Sequence, residues 1–329
     1  MSRPICKLSI AGKPVSSLFM SRLVSCTVVD KEGVANDTID IVLEDEAPSA
    51  AMPPKGDIIT CNMGSAEKGV AFMGRFKVEQ VDGTCFPHTL HITGKSADMR
   101  AKMKENKERH WDKKTVGDIV KQVAGDHGLG VQIAASVSDH KYEWFGQNGV
   151  SDIHMLENLA RRHNALFTVK NGKILFVERG QGQSASGAAL TGLVIAPPMI
   201  QPGTFNFTLP DHGSYKDVRA YWQDKDKVRR VEVRETSNDK AKATMTLGEP
   251  YESEEEAKRA AKSKAKALKR GTGGFSCSII GDPTARGGAP VSTRGVRQGI
   301  DGVEHIIETA THNFSKSKFE TAISAKLKA

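Results

Sequence analysis

Leu23-Val24-Ser25-Cys26-Thr27-Val28-Val29, then Asp30-Lys31-Glu32-Gly33, then Thr38-Ile39-Asp40-Ile41-Val42-Leu43 is the stretch that decides the fold. Two short extended runs rich in β-branched residues flank a charged turn that ends in glycine, the pattern of strands joined by turn chemistry. The pattern continues in both directions. Upstream lie Cys6 to Ile10 and the turn Ala11-Gly12-Lys13-Pro14. Downstream come a Pro-rich loop from Pro48 to Gly56, Asp57 to Asn62, Gly69 to Val81, the turn Asp82-Gly83, and Thr89 to Thr93. Six or so strands without a convincing helix predict a barrel or sandwich over residues 1–98.

At Thr115 the period changes. Val116, Ile119, Val120, Val123 and Ala124 fall at helical spacing, with Thr115 as N-cap, Asp118 in the first turn and Gly128 where a left-handed stop is needed. A second helix begins at Ser151-Asp152, turns Leu156, Leu159, Ala160 and His163 inward, and closes at Asn164. Leu166 to Lys170 and Lys173 to Val177 then read as a hairpin around Asn171-Gly172. Residues 99–180 are therefore expected to form a small α/β module. The run from Gly180 to Gly187 can bury almost nothing and reads as a linker, with 181–214 as the connecting segment. Beyond it, Phe205 to Leu209, Tyr215 to Gln223 and Lys227 to Glu235 read as strands, the last two joined by the turn Asp224-Lys225-Asp226. One long helix follows over 253–270: Ser253 and Glu256 form an S-x-x-E box, acids Glu252, Glu254 and Glu255 lie at its start, and bases Lys264, Lys266, Lys269 and Arg270 lie at its end before Gly271. Its stripe of Ala257, Ala261, Ala265 and Leu268 suits flat packing on a sheet. Phe275 to Ile280, Val303 to Thr311 and Lys318 to Leu327 complete a second barrel over 215–329. The expected class is α+β, rich in β, with two barrels and an α/β module between them.

The 329 residues suffice for two or three domains, and 38% apolar with 26% charged residues is ordinary for a globular chain. Scarce aromatics, 6%, beside 31 glycines favour short strands and tight turns over a helical bundle. The net charge of +8 concentrates in Arg100 to Lys114, Lys258 to Arg270 and Lys316 to Lys328. Solvated helical faces account for most of it, because these runs lack the interleaved aromatics on which bases stack. Cys6, Cys26, Cys61, Cys85 and Cys277 are odd in number and form no Cys-x-x-Cys pair, which argues against a disulfide framework. The start carries no apolar run long enough for a secretory signal, and no stretch approaches a membrane span, so synthesis in a reducing cytoplasm is expected.

Catalytic constellations are absent. His88 with His91 and His305 with His312 are the closest histidine pairings, but there is no His-Glu-x-x-His, and strand residues three apart point to opposite faces. No Gly-x-Ser-x-Gly elbow, phosphate-binding loop or dinucleotide fingerprint occurs. Gly271-Thr272-Gly273-Gly274 follows a helix where a phosphate loop would precede one, so it reads as a helix stop. Glu44 and Glu46 read as solvated loop acids rather than a glycosidase pair. Neither an enzyme, a metal site nor a cofactor is expected, and no residue is singled out as catalytic, metal-binding or cofactor-binding.

Four segments carry a likeness: Thr115-Val116-Gly117-Asp118-Ile119-Val120; Ala124-Gly125-Asp126-His127-Gly128-Leu129; the run from Gln147 to Arg162 with its Gln-x-x-x-Ser-Asp helix start; and Asn171-Gly172-Lys173-Ile174-Leu175-Phe176 before the corner Arg179-Gly180. Gly74 to Val78 leading to His91 to Asp98, and Gly281-Asp282-Pro283 leading to Gly302 to Ile307, agree with them. Together they resemble the phage late control protein D family, which supplies the baseplate hub of contractile tails. The resemblance implies a homotrimer in which each chain gives two tail-tube-like barrels, a pseudo-six-fold ring joining the six-fold tube to a three-fold spike. It also implies partners: the central spike protein, tube and tube-initiator proteins, the tape measure and the baseplate wedges, with DNA only as passing cargo. The expected location is the virion baseplate, after assembly in the host cytoplasm.

Competing readings make different predictions. The hub half of a type six secretion spike shares the architecture but continues into its own needle, whereas this chain stops at Ala329. A contractile bacteriocin or domesticated prophage tail would use the same hub. A tail-borne cell-wall hydrolase predicts peptidoglycan cleavage, and a free nucleic-acid-binding regulator predicts salt-steep duplex binding.

Overall fold

Alternate residues of the opening strands are buried: Cys26 and Val28, Ile39, Ile41 and Leu43, Ile59, Cys61 and Met63 all lie within 1% of full burial. A strand puts such residues on one face, so this pattern sets the whole N-terminal third around one core. The computed structural model describes residues 3–33, 37–46, 50–96, 102–170, 172–178, 190–208, 215–224, 229–239, 241–248, 250–251 and 253–328. Asn171, the linker Gly180 to Gly187, the corner Arg179-Gly180, the turn residues Lys225 and Asp226, and Glu252 lie outside the described residues.

The first strand group comprises β1 (Pro4–Ile10), β2 (Lys13–Pro14), β3 (Leu23–Lys31), β4 (Thr38–Glu44), β5 (Ile58–Ser65), β6 (Gly69–Thr84) and β7 (Thr89–Ser96). One short helix that the sequence reading lacks, α1 (Ser17–Arg22), stands between β2 and β3, where the Ser16 hydroxyl accepts from the Phe19 N–H. The middle comprises β8 (Asn106–Thr115), α2 (Val116–Asp126), β9 (Gly130–Ile133), α3 (Ala135–Ser138), β10 (Lys141–Ser151), α4 (Asp152–Arg162), β11 (Ala165–Lys170) and β12 (Lys173–Glu178). The last part comprises β13 (Leu193–Ile195), β14 (Asn206–Thr208), β15 (Tyr215–Asp224), β16 (Arg229–Thr236), β17 (Ala243–Thr246), α5 (Glu254–Arg270), β18 (Gly274–Ile280), β19 (Pro290–Thr293), β20 (His305–Ser315) and β21 (Phe319–Leu327).

Strands assigned by sequence to two separate barrels pair as one 13-stranded sheet, in the order β14-β18-β21-β20-β3-β4-β7-β6-β5-β1-β2, with β19 attached to β20 and β13 to β19. No strand pairing among the described residues closes either group on itself. The join is β20 against β3, Thr309↔Lys31 through Ser315↔Ser25, so the free edge of the first group is satisfied by the second rather than by its own far end. Phe314 and Phe319 belong to the core of the first group, which also ties the halves together.

The helix over 253–270 forms where the capping signals put it, with the Ser253 hydroxyl accepting from the Glu256 N–H at 3.2 Å. It packs flat on a sheet as expected, but on the small sheet β16-β15-β17 rather than on β18, β20 and β21. Size explains the choice. Ala257, Ala261 and Ala265 meet Val218, Ala220 and Val233, side chains small enough for a close approach, whereas the inner face of β18 to β21 carries Phe275, Ile279, Ile307 and Ile323 in a core of its own.

The middle module has the expected helices. Thr115 and Asp118 form a reciprocal capping box, Gly128 takes φ +65°, and Asn164 takes φ +50°. β11 and β12 make the expected hairpin and β9 joins β12 in parallel. The basic run from Arg100 to Lys114 is a different case: it is not a helical face, because Asn106–Thr115 is a strand paired with β10.

Candidate interface and the clusters that support it

Two polar clusters hold the surfaces of this molecule in place, and each includes residues that carry the family likeness, Asp126, His127, Gln147 and Asp152 in the first and Asp282 in the second. The first centres on Asp152, the opening residue of α4, whose side chain is fully buried. Lys107 Nζ donates to its Oδ2 at 2.7 Å, Arg109 Nη2 to its Oδ1 at 2.5 Å, Gln147 Nε2 to its Oδ1 at 3.0 Å, and His127 Nε2 lies 2.8 Å from its Oδ2. Arg109 also donates from Nε to Gln147 Oε1 at 2.7 Å, reaches Asp126 at 2.6 Å, and lies over the Trp111 ring at 4.7 Å. The Gln-x-x-x-Ser-Asp motif and the helix ending His-Gly-Leu are thus two walls of one cluster that clamps β8, β10, α2 and α4. Burial alone would raise the Asp152 carboxyl; hydrogen bonds from His127, Lys107 and Gln147 outweigh it and hold the group below the usual carboxylate range.

The second cluster lies where the segment Gly281-Asp282-Pro283 crosses between the strand groups. Asp282 accepts from Lys68 Nζ at 2.8 Å and from the hydroxyl and N–H of Thr284, while the Asp282 N–H donates to Thr321 Oγ1 at 3.0 Å. Burial opposes ionisation of Asp282, but the bonds from Lys68 and Thr284 win and lower its pKa. Arg286 donates to the Phe72 carbonyl and stands 3.6 Å from Asp30. Arg270 Nη2 donates to Glu32 at 2.8 Å, fixing the end of α5 to the end of β3. Fully buried His312 lies 3.0 Å from the Ala285 carbonyl through Nε2 and 3.1 Å from Thr321 Oγ1 through Nδ1. A carbonyl only accepts, so Nε2 carries the proton and Nδ1 accepts.

Gly281 permits this crossing. A Cβ there would sit 2.1 Å from Cδ1 of the buried Phe319 ring. Gly281→Ala must displace that ring and is expected to cost about 1–3 kcal/mol. The urea midpoint reads it, and an unchanged midpoint would show that the ring has room to move.

On the surface, two features stand out as candidate contacts. The first is the pair of sheet ends: among the described residues, exposed β14 pairs only with β18 and exposed β2 pairs only with β1. Phe207, on β14, is a large exposed ring beneath the Arg297 guanidinium at 5.0 Å. The second is the start of β6. Its extra residue, Met73, lies between the pairs Cys61↔Gly74 and Asn62↔Phe72, and this bulge turns Met73 inward while leaving Val70 and Phe72 outward. The Lys68–Asp282 bond brings that start beside the end of β18, where Ile280 is half exposed.

Three of the histidines weighed as pairs in the sequence have other partners. His88 contacts the Phe86 ring, His305 binds the Val303 carbonyl through Nδ1 and lies edge-on to Phe275, and His312 is engaged as above. Glu44 and Glu46 are exposed, and Gly271 caps α5. Among the described residues, the one group of three potential metal ligands that converges is Cys6, Cys26 and Cys61. Sequence spacing gave no hint of it, since these thiols come from three separate strands. No described helix is long and apolar enough to cross a membrane.

Comparison with known proteins places this geometry. The probable baseplate hub protein of Escherichia phage 186 is 26% identical over 364 aligned positions, covering 99% of this chain and 93% of that one. A 43 kDa tail protein from prophage MuSo2 of Shewanella oneidensis shares the fold at a TM-score of 0.71 and 12% identity, with 98% of each chain covered. An E. coli component of the type VI secretion system, described as similar to T4 tail proteins gp27 and gp5, shares it at a TM-score of 0.58 and 11% identity over 98% of this chain and 77% of that one. The family model described as phage tail baseplate hub (GPD) matches residues 70–316, so the chain belongs to that family, the baseplate hubs of contractile phage tails.

Proposed function

We propose that three copies of this chain close into a ring of pseudo-six-fold symmetry, in which residues 1–98 and 215–329 of each copy supply the two tube-like barrel domains. The 99–180 module stands between them and 181–214 connects it onward. The ring joins the tail tube and its initiator on one side to the central spike protein on the other. Tape measure and baseplate wedge proteins are further partners, and DNA passes through as cargo. Sheath contraction drives tube, hub and spike together through the host envelope, so the role is to bind and transmit force with no bond-breaking step. Assembly takes place in the host cytoplasm.

The observation that carries this reading is the pairing order. A 13-stranded sheet that joins two strand groups and ends on β14 and β2, with β13 ending its side branch, leaves one side of each end strand without a strand partner among the described residues. Neighbouring copies in a closed ring would cover such edges. Light scattering of the purified chain should give three times its 35.6 kDa, and negative-stain images of that peak should show a ring with a central hole. A monomer that stays monomeric when co-expressed with its spike protein would sink the ring.

A second reading, the hub of a contractile bacteriocin or type six secretion-like machine, draws on the whole-chain fold likeness to the E. coli secretion component. An assembled particle with a DNA-filled head excludes it, and a headless one supports it.

A further inference from the structure

Cys6 on β1, Cys26 on β3 and Cys61 on β5 place their three Sγ atoms within 4.8 Å of one another, and each residue is at most 8% exposed. Cys6 sits opposite Met63 and Cys61 opposite Leu8 on adjacent strands, so both thiols point to the core face as diagonal neighbours. Cys26 comes from β3, which is separated from β5 by β4, β7 and β6 along the sheet. The sheet therefore curls until β3 faces β1 and β5, and three of the chain's four buried cysteines meet at the point of contact. Single buried cysteines serve as small apolar side chains. Convergence of three, on a face otherwise filled by Leu8, Val28, Ile41, Ile59 and Met63, calls for a further account.

The spacing fits a metal ion. With metal–sulfur bonds of about 2.3 Å, a planar three-sulfur site needs sulfurs about 4 Å apart, within a sub-ångström closure of the observed limit. Among the described residues no carboxylate or imidazole joins the three thiols within that distance, which disfavours hard cations and suits soft ones. We propose that Cys6, Cys26 and Cys61 form a buried three-sulfur site for a thiophilic d10 ion, such as Zn(II) or its analogue Cd(II). On binding, each thiol that still carries its proton releases it to solvent as its metal–sulfur bond forms, with no change of oxidation state. The site would staple β1, β3 and β5 across the core, holding shut the curl that hydrogen bonding alone does not close.

The test uses the full chain carrying Cys85→Ser, which removes the exposed thiol. Cd(II) is added to the folded protein and, separately, during refolding from urea, while the near-ultraviolet sulfur-to-cadmium band and proton release are followed. The expected result is one Cd(II) per chain, with the sulfur-to-cadmium band, release of protons and a raised melting temperature. Cys26→Val should weaken binding by about 100-fold or more, since loss of a direct ligand exceeds the 10- to 100-fold cost of losing a supporting one. Cys277→Ala should leave binding unchanged. If Cys26→Val fails to fold by circular dichroism, Cys61→Ala decides by the same criterion. Absence of the band under both loading conditions, or a band indifferent to these ligand substitutions, overturns the site and leaves three packed thiols.

Discussion

Asp152→Ala is expected to cost the hub about 3–5 kcal/mol, the scale for breaking one side of a buried ion pair. The reason is what stays behind. Lys107, Arg109 and His127 all aim at the Asp152 carboxylate, and Gln147, itself fully buried, is oriented by both Asp152 and Arg109. Alanine would take from Lys107 and buried His127 the acceptor they share, and would leave Arg109 held only by Gln147 and Asp126 beside an emptied buried site. Asp126→Ala serves as control, because Asp126 also binds Arg109 but is well exposed, and such pairs are worth about 1 kcal/mol or less. Urea unfolding separates the two. Equal, small losses for both would mean that the cluster is solvated and that the signature residues have some task other than clamping the module.

That cluster also shows where the sequence was legible and where it was not. Helices α2, α4 and α5 could be read to within a residue or two because caps and stripes are local: Thr115, Ser151 and Ser253 each bond three residues ahead. Strand β8 could not, since its inward positions are Lys107, Arg109 and Trp111, and two of the three are cations. An inward lysine breaks the apolar alternation by which strands are recognised, and its partner, Asp152, is 45 residues away. The same limit applies to the join of the halves. β3 and β20 each read correctly as strands, yet nothing local says that Ala310 will face Asp30 and Phe314 will face Cys26. Convergence of Cys6, Cys26 and Cys61 is of the same kind, a product of sheet curvature rather than spacing. The glycine at 281 was part of the likeness, but only the Phe319 ring against it explains why no side chain fits.

Acid should loosen the hub well above the carboxylate range, and the cause is buried histidine. Burial first, then the Arg286 charge, push His312 from 6.5 down to about 4, against opposing contributions from Asp30, the Ala285 carbonyl and Asp282. His163 falls to about 3 through burial, the neighbouring His140, and the Arg259 and Arg162 charges. Both folded values are depressed, so the unfolded chain takes up protons first: stability is complete above 6.5 and is lost as pH falls towards 4 and 3. Between pH 7 and pH 5 each histidine removes about 2 kcal/mol. Asp152 and Asp282, both lowered, extend the loss in the same direction once the unfolded carboxylates begin to protonate below their ordinary 3.8. Urea unfolding of wild type at the two pH values should therefore differ by about 4 kcal/mol. His312→Gln keeps an amide donor and an acceptor but cannot titrate; it should be less stable at pH 7, yet lose only about half as much on going to pH 5. An undiminished difference in that variant would show that His312 is not held neutral. Because His312 on β20 is bonded to the Ala285 carbonyl, in the segment whose Asp282 and Arg286 bind Lys68, Asp30 and Phe72, its protonation would weaken the join between the two strand groups.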